Sequence, residues 1–218
     1  MSRIASPTPA RATYRHGDLR RALLEAGIAL AREGGPDAIV LREATRRVGV
    51  VPNAAYRHFS SRQALLQAVR AAALSALAVA MEAEMGDIRP DSSSAALARA
   101  KLRAVGTGYL RFALAEPGLF RTAFSVPDDV ETDADPAKAG DSGLNPFELL
   151  SAALDQMVDA GILPARRRPG AEYLAWSAVH GLSMLLLDGP LRGREPAQAE
   201  GLGQRLIDMV EQGLQTPG

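Results

Sequence analysis

Residues 41–65 read LREATRRVGVVPNAAYRHFSSRQAL, and their pattern is the most informative about the fold of the N-terminal part of the chain. Apolar and small residues at helical spacing predict one short helix from about Leu41 to Val48 and a second from about Pro52 to Phe59, with Gly49 between them. Glycine suits such a turn because the backbone there leaves the right-handed helical region at low steric cost. Two short helices joined by a tight turn have the layout of a helix-turn-helix, whose second helix enters a major groove of DNA.

Polar side chains occupy the positions of these two helices that packing leaves facing outward. Ala44, Val48, Val50 and Ala55 fall where the helices must contact each other and the preceding helix. The outward positions carry guanidinium, amide and phenol groups, which can donate hydrogen bonds to phosphate oxygens and base edges. The residues at these outward positions are Arg42, Arg46, Arg47, Asn53, Tyr56 and Arg57.

The charges of the chain are divided unequally along its length. The whole chain is neutral, with 25 basic and 25 acidic side chains. Residues 1–70 hold 12 basic and 5 acidic side chains and are therefore +7, whereas residues 71–218 hold 13 and 20 and are −7. A basic segment beside an acidic remainder indicates a basic part that faces a polyanion.

Helical periodicity continues on both sides of this stretch, and no run alternates as a strand does, so the predicted fold is all-α. Residues 1–14 are rich in Pro, Ser, Thr and Arg and are interpreted as a flexible basic arm. Residues 125–145 are acidic and rich in Pro, Gly and Ala, so we predict a loop there. The other predicted helices span about 18–33, 61–85 (capped by Ser60), 93–115, 119–124, 146–160, 170–187 and 196–214.

The turn and its second helix resemble the DNA-binding domain of TetR-family transcriptional regulators. The residues that match are Gly49-Val50, Pro52-Asn53-Ala54-Ala55, Tyr56-Arg57-His58-Phe59, Ser60, Arg62 and Leu65. The family often has Ile-Ala where this chain has Ala44-Thr45, and Thr-Leu where it has Ala54-Ala55. The resemblance implies phosphate contacts by Tyr56, His58 and Arg62, whereas the spacing of Phe59 predicts a core position for that residue. With it, the predicted DNA-binding residues are Arg42, Thr45, Arg47, Pro52, Asn53, Ala54, Tyr56, Arg57, His58 and Arg62.

The C-terminal part carries Trp176-Ser177-Ala178-Val179-His180-Gly181, which resembles the Trp-x-x-x-His-Gly signature of a subset of TetR-family ligand-binding domains. Trp176 and His180 are four residues apart and therefore lie on one face of a helix. His180 fits either a ligand contact or a hydrogen-bonded core position. The candidate ligand-binding residues, each of which also suits an apolar core, are Tyr109, Phe112, Phe120, Phe124, Met157, Trp176 and His180.

The resemblance also implies how the chain is organised and what it binds. It divides the chain into the arm (residues 1–14), a helix-turn-helix DNA-binding domain (15–60) and a larger helical ligand-binding and dimerisation domain (61–218). The helices at about 170–187 and 196–214 would pair with their copies in a homodimer. The implied partners are a double-stranded DNA operator and an unknown small-molecule ligand that releases the repressor from DNA.

Composition and spacing exclude several other classes of function. The chain has no Cys and only scattered His, so no thiolate or histidine metal site, catalytic triad or cofactor motif can be nominated. No uninterrupted apolar run reaches the roughly 18 residues of a membrane-spanning helix, and the N-terminus lacks a signal-peptide core, so we expect a cytoplasmic protein with no membrane partner. One alternative from a different class stays open: an all-α small-molecule-binding protein or enzyme without a DNA role.

Overall fold

The computed structural model describes residues 16–88, 93–127 and 135–215, and the predicted arm at 1–14 lies outside them. Within the described ranges the chain forms nine α-helices and no strand, which confirms the all-α prediction. The helices are α1 (His16–Gly34), α2 (Leu41–Val48), α3 (Pro52–Tyr56), α4 (Arg62–Gly86), α5 (Ser94–Ala115), α6 (Pro117–Ala123), α7 (Pro146–Asp159), α8 (Ala171–Leu187) and α9 (Pro196–Gln215).

Helices α1, α2 and α3 form a small bundle around the side chains that the sequence placed inside. Ala44 and Ala55 are fully buried, and Phe59 is 2% exposed beneath the guanidinium of Arg20, which lies 4.8 Å from the ring centroid. Gly49 ends α2 in the left-handed region at φ 73°. The predicted turn glycine is therefore confirmed, because a side chain at this φ would be strained.

Several predicted helix boundaries differ from the structure by one to three residues, and two of these differences lie beside the turn motif. Helix α3 ends at Tyr56 rather than Phe59, because the chain turns there and directs the Phe59 ring into the core. Helix α4 is capped by Ser61 rather than Ser60: the Ser61 hydroxyl oxygen accepts a hydrogen bond from the backbone N–H of Ala64 at 3.1 Å. Both differences are small displacements at the ends of helices that were correctly predicted.

Helix α4 runs from the small bundle into the larger C-terminal bundle. Near its start, Leu65 and Val69 pack against Gly27 of α1 so closely that a β-carbon on Gly27 would lie 2.8 Å from Val69. Further along, the backbone at Met81 lies against Gly108 of α5, where a β-carbon would be 2.6 Å away. One apolar core therefore extends through both bundles along this helix.

Helix α4 is, among the described helices, the one that is long and apolar enough by length and composition to cross a membrane. It has no uninterrupted apolar run of about 18 residues, because Arg70 lies within it. Half of the apolar stretch is buried inside the protein, against α1, α5, α6 and α7, which is the environment of a core helix.

The predicted loop at 125–145 has a defined structure over residues 135–145, which we call the strap. The strap contains a 3₁₀ turn and lies on α4. The carboxylate of Glu82 in α4 accepts hydrogen bonds from the backbone N–H groups of Asp141 at 2.8 Å and Ser142 at 3.0 Å. Partial burial acts to raise the pKa of Glu82, but a hydrogen bond from the Ser142 hydroxyl at 2.5 Å, together with the two backbone N–H bonds, holds that pKa below its usual range.

Candidate DNA interface and ligand cavity

The outward surface of α2 and α3 carries four predicted DNA-contacting side chains that are exposed to solvent. Arg42, Asn53, Tyr56 and Arg57 are all exposed, Tyr56 at 55%. In the described part of the chain neither Arg42 nor Arg57 makes an ion pair. These groups can therefore bind phosphate oxygens or base edges without breaking a bond inside the subunit. Pro52, at the first turn of α3, is exposed as well.

Two predicted DNA-contacting residues of α2 instead make hydrogen bonds within the subunit. Thr45 is 2% exposed and its hydroxyl donates to the backbone carbonyl of Arg42 at 2.7 Å, so the predicted DNA contact by this side chain is corrected to a structural role. Arg47 donates two hydrogen bonds, of 2.8 and 2.6 Å, to the carboxylate of Glu33 in α1. This pairing lowers the pKa of Glu33, and it ties α2 to α1.

Arg62 also has a task within the subunit. Its Nε and one terminal nitrogen donate hydrogen bonds of 2.8 Å each to the carbonyl oxygens of Ile39 and Pro36, in the connection between α1 and α2. The phosphate contact implied by the family resemblance stays a prediction, and the structure adds that Arg62 fixes the position of α2. His58 and Ala54 are half-buried beside the exposed set, and their DNA contacts also stay predictions.

Arg46, a further arginine of α2, is paired as well. Arg46 donates to the carboxylate of Glu43 at 2.9 and 2.7 Å. These hydrogen bonds, with a further one from Arg47, hold the pKa of Glu43 at about 2, so the carboxyl is ionised at neutral pH. The pair spans one turn of α2 and lies on its exposed side.

The larger bundle encloses a cavity of about 460 Å³ between α4, α5, α7, α8, α9, the end of α6 and the strap. A cavity of this size accommodates a drug-sized molecule. Four of the seven predicted ligand-binding residues line it, namely Tyr109, Phe124, Trp176 and His180. In the described ranges there is no group of three His, Asp or Glu side chains that could hold a metal ion.

The other three predicted residues do not line the cavity, and this corrects the prediction for Phe112, Phe120 and Met157. All three are buried in the core. The Phe120 ring lies behind the cavity wall, with its centroid 5.5 Å from that of His180. Sequence reasoning could not separate these rings from the lining rings, since both kinds sit at helical spacing on the same elements.

Sequence reasoning also missed part of the lining. Lining residues from α4, the strap, α7 and α9 include Arg70, Leu74, Lys138, Asn145, Phe147 and Val210. Arg70 is 1% exposed, and its terminal nitrogens donate to the Gln67 side chain at 2.6 Å and to the Val126 carbonyl at 2.8 Å. A cation within an alanine-rich apolar helix was the signal that could have indicated α4 as a cavity wall.

The polar centre of the cavity wall is the hydroxyl of Tyr109. It lies 2.8 Å from Nδ1 of His180 and 3.1 Å from Nε1 of Trp176. This confirms that Trp176 and His180 share a helix face. Burial raises the pKa of Tyr109 and lowers the pKa of His180, so the phenol stays protonated and the imidazole is neutral near pH 7.

Helix α6 joins the cavity to the small bundle. Phe124, directly after α6, lines the cavity. At the other end of α6, Gly118 packs against the carbonyl oxygen of Ala31 in α1, leaving no room for a β-carbon. Arg32 of α1 donates to the carboxylate of Glu116 at 3.0 Å, immediately before α6. The same short helix therefore contacts both the small bundle and the cavity.

Two protein-family models match the chain. Residues 23–69 match the model for bacterial regulatory proteins of the tetR family, and residues 102–210, half of the chain, match the tetracyclin repressor-like C-terminal domain. No curated protein matches the chain. The resemblance of Trp176–Gly181 to the Trp-x-x-x-His-Gly subset stays a prediction.

Solved structures share the fold over nearly the whole chain. A protein with unknown function from Rhodococcus sp. RHA1 is 24% identical with a TM-score of 0.73, covering 94% of this chain and 100% of its own. The TetR family transcriptional regulator PfmR from Thermus thermophilus is 20% identical with a TM-score of 0.56, covering 89% and 99%. A TetR variant from Acinetobacter baumannii AYE, in complex with minocycline, is 17% identical with a TM-score of 0.55, covering 89% and 97%.

Proposed function

We propose a function from one premise: the chain belongs to the tetR family of bacterial regulatory proteins. It is therefore a ligand-responsive, DNA-binding transcriptional regulator and not an enzyme, which sets aside the alternative of an all-α enzyme without a DNA role. Within the family, our proposal is a cytoplasmic homodimeric repressor that a small molecule releases from its operator.

The observation behind the proposal is that one helix contacts both the small bundle and the cavity. Leu65, in α4, packs on α1 of the small bundle, whereas Leu74 and Met81 of the same helix line the cavity. Helix α6 adds a second connection through Gly118. A ligand that displaces the cavity wall would therefore move the recognition helix as well. DNA and ligand would then oppose each other through one coupling free energy.

The proposal also assigns each function to a part of the chain. We assign DNA binding to residues 15–60 and ligand binding and dimerisation to residues 61–218. Helix α3 would lie in the major groove, with Asn53 at a base edge and Arg42 and Arg57 on phosphates. The predicted roles of Pro52, Ala54, Tyr56, His58 and Arg62 belong to the same proposal.

The outward face of α8 and α9 supports a second copy of this chain as the partner. Leu174 is 69% exposed and Met209 is 68% exposed, and Leu185 is exposed on the same side of α8 as Leu174. Large apolar side chains that follow one helical stripe are costly to leave in water. A partner that presents the same two helices across a two-fold axis would cover both stripes at once.

Glycines on the same face support this interface. A β-carbon on Gly181 of α8, or on Gly201 or Gly213 of α9, would meet no atom of the subunit within 4 Å. Glycine inside a helix costs about 0.5–1 kcal/mol relative to alanine, so packing inside the subunit does not explain these residues. Close approach of a helix from a second subunit would explain them.

The test of this function is selection of duplexes from a random library by the full-length protein, followed by transcription from a promoter that overlaps the selected site. A repressor lowers transcription from that promoter in proportion to the occupancy of the site. Transcription that rises with occupancy would instead identify an activator. Failure to select any sequence would contradict operator binding itself.

A further inference from the structure

Aromatic rings from four elements meet at one end of the cavity. The His180 ring centroid lies 4.9 Å from that of Phe124 and 6.2 Å from that of Trp176. Phe147 of α7 adds a further ring at 6.2 Å from Trp176, and Tyr109 of α5 adds another at 6.1 Å from Phe124. Faces and edges of such rings favour a flat aromatic molecule over a flexible aliphatic one, because stacked and edge-to-face pairs add to the burial of apolar area.

The hydrogen bonds at Tyr109 determine which nitrogen of His180 carries the proton. The indole N–H of Trp176 can only donate, so it occupies a lone pair of the Tyr109 oxygen. Within the described residues, the phenol has one other hydrogen-bonding neighbour, Nδ1 of His180. The phenol must donate its own proton to that nitrogen, because a buried hydroxyl seeks an acceptor. In a neutral imidazole the ring proton then lies on Nε2.

The Nε2–H group of His180 has no acceptor in the described part of the chain, yet it is not sealed off. Nε2 of His180 is not one of the buried, unpartnered polar atoms of the described side chains. The atom is therefore open to space, and His180 is part of the cavity lining. It is a directed donor surrounded by aromatic rings.

We propose that the cavity binds an uncharged aromatic compound whose carbonyl oxygen accepts a hydrogen bond from Nε2–H of His180. This inference rests on the proposed function only in taking the cavity as the ligand site. The rings select the flat aromatic body, and the one fixed donor selects the carbonyl.

The same surroundings disfavour a carboxylate at this end. A buried anion needs a paired cation, and lowering of the His180 pKa by burial keeps the imidazole neutral. Arg70 lines the cavity, but it donates hydrogen bonds to Gln67 and to the backbone carbonyl of Val126, which fix its guanidinium in the wall. Lys138 lies on the strap, and a carboxylate probe reports directly on any contribution from these two cations.

Three probes of similar shape test the proposal by calorimetric titration of the full-length protein. They are 2-acetylnaphthalene, its hydrocarbon analogue 2-isopropenylnaphthalene, and 2-naphthoate. We expect the ketone to bind about fivefold more tightly than the hydrocarbon, the ratio that one net hydrogen bond gives, and more tightly than the naphthoate. Equal affinity of ketone and hydrocarbon, tighter binding of the naphthoate, or no binding of the ketone would each overturn the proposal.

Substitutions at His180 separate the hydrogen bond from the shape of the cavity. His180→Leu should abolish the preference for the ketone over the hydrocarbon, whereas His180→Gln, which places an N–H near the same point, should retain most of it. Circular dichroism establishes that each variant is folded. A ketone preference that survives in His180→Leu would assign the donor to another residue and contradict the proposal.

A further test uses the unsubstituted protein and therefore does not depend on whether a variant folds. Nitrogen-15 NMR of the histidine rings distinguishes the Nε2–H form from the Nδ1–H form, and the chain has three histidines to assign. We expect His180 in the Nε2–H form, with its Nε2 resonance moving on addition of the ketone. An Nδ1–H form would overturn the proposal. Release of operator DNA is measured separately. If the ketone binds and does not release DNA, the repressor proposal is contradicted. If the hydrocarbon binds as tightly as the ketone and releases DNA, only the proposed carbonyl recognition by His180 is contradicted.

Discussion

Gly118 of α6 lies so close to the carbonyl oxygen of Ala31 in α1 that a β-carbon on the glycine would overlap that oxygen. The overlap would involve backbone atoms, which cannot rotate away as a flexible side chain can. The position of α6 along α1 is therefore set by direct backbone contact. Since Phe124 at the far end of α6 lines the cavity, this contact gives the cavity and the small bundle a second connection beside α4.

The first prediction concerns this contact. Gly118→Ala should destabilise the protein by about 1–3 kcal/mol, as overpacking does, and should weaken operator binding because α6 pushes α1 out of place. Thermal unfolding and operator titration check the two effects. Gly86→Ala is the matched control, because a β-carbon on that helical glycine meets no atom within 4 Å. Equal operator affinity in the Gly118→Ala variant would contradict a role for α6 in positioning the small bundle.

The second prediction separates base recognition from phosphate contact. Asn53→Ala should cost about 1–3 kcal/mol on the selected operator and far less on random DNA, because an amide at a base edge distinguishes sequences. Arg57→Ala should weaken all duplexes alike and flatten the plot of log affinity against log salt by about one. Arg166→Ala, an exposed arginine outside the small bundle, is the control for charge alone. Identical losses on operator and random DNA for Asn53→Ala would remove it from base recognition.

The third prediction concerns Arg62. Its two hydrogen bonds to the carbonyl oxygens of Ile39 and Pro36 imply that Arg62→Ala lowers the free energy of unfolding by about 1 kcal/mol, a modest value because the side chain is partly exposed. Chemical denaturation measures this loss. The salt dependence of DNA binding in the same variant reports on the predicted phosphate contact. Loss of that contact would reduce the slope of log affinity against log salt concentration by about one. An unchanged unfolding free energy would contradict the structural role.

The fourth prediction is that the protein is a dimer through α8 and α9. The double variant Leu174→Glu and Met209→Glu should sediment as a monomer, because the two carboxylates would meet apolar surface and their own copies. Val79→Glu, at an exposed apolar position of α4, is the control and should leave the dimer intact. A double variant that still sediments as a stable dimer would show that the subunits meet elsewhere.

The fifth prediction follows from His180. Burial lowers its pKa below the ordinary value of 6.5, so between these two values the unfolded chain binds more protons than the folded one. The contribution of His180 to the free energy of unfolding is fully present above about pH 7.5, and it is lost as the pH falls through 6.5 toward the folded-state pKa. The difference in unfolding free energy between the unsubstituted protein and His180→Gln should therefore shrink on acidification. A difference that does not change with pH would show that His180 titrates normally.

Much of the fold was predictable because its signals are local. Helix α2 was predicted with its observed limits, since Gly49 supplies the left-handed residue that ends it. The extent of α3 was not, because its end depends on the burial of Phe59 against α1. The strap was predicted only as a loop, since the carboxylate that holds it belongs to Glu82, about 60 positions earlier in the chain. Long-range contacts of this kind leave no trace in local periodicity.

The candidate sites divide in the same way. Spacing alone placed Trp176 and His180 on one face, and the exposed residues of α3 follow from the turn motif. Spacing could not show that Tyr109 lines the cavity while Phe112, three residues later, is buried away from it. Nor could it show that Thr45 faces inward and that Arg47 is paired with Glu33. Which face of a helix meets empty space, and which cation meets a carboxylate, is decided by tertiary packing.

Selection of duplexes from a random library by the full-length protein tests whether a dimer binds DNA through α3. We expect enrichment of a near-palindromic sequence whose half-site centres lie about one helical turn of DNA, or a multiple of it, apart. We also expect that Asn53→Ala, selected in parallel, loses the preference at one position of each half-site. Enrichment of no sequence, or of the same sequence by both proteins, would contradict DNA binding through α3.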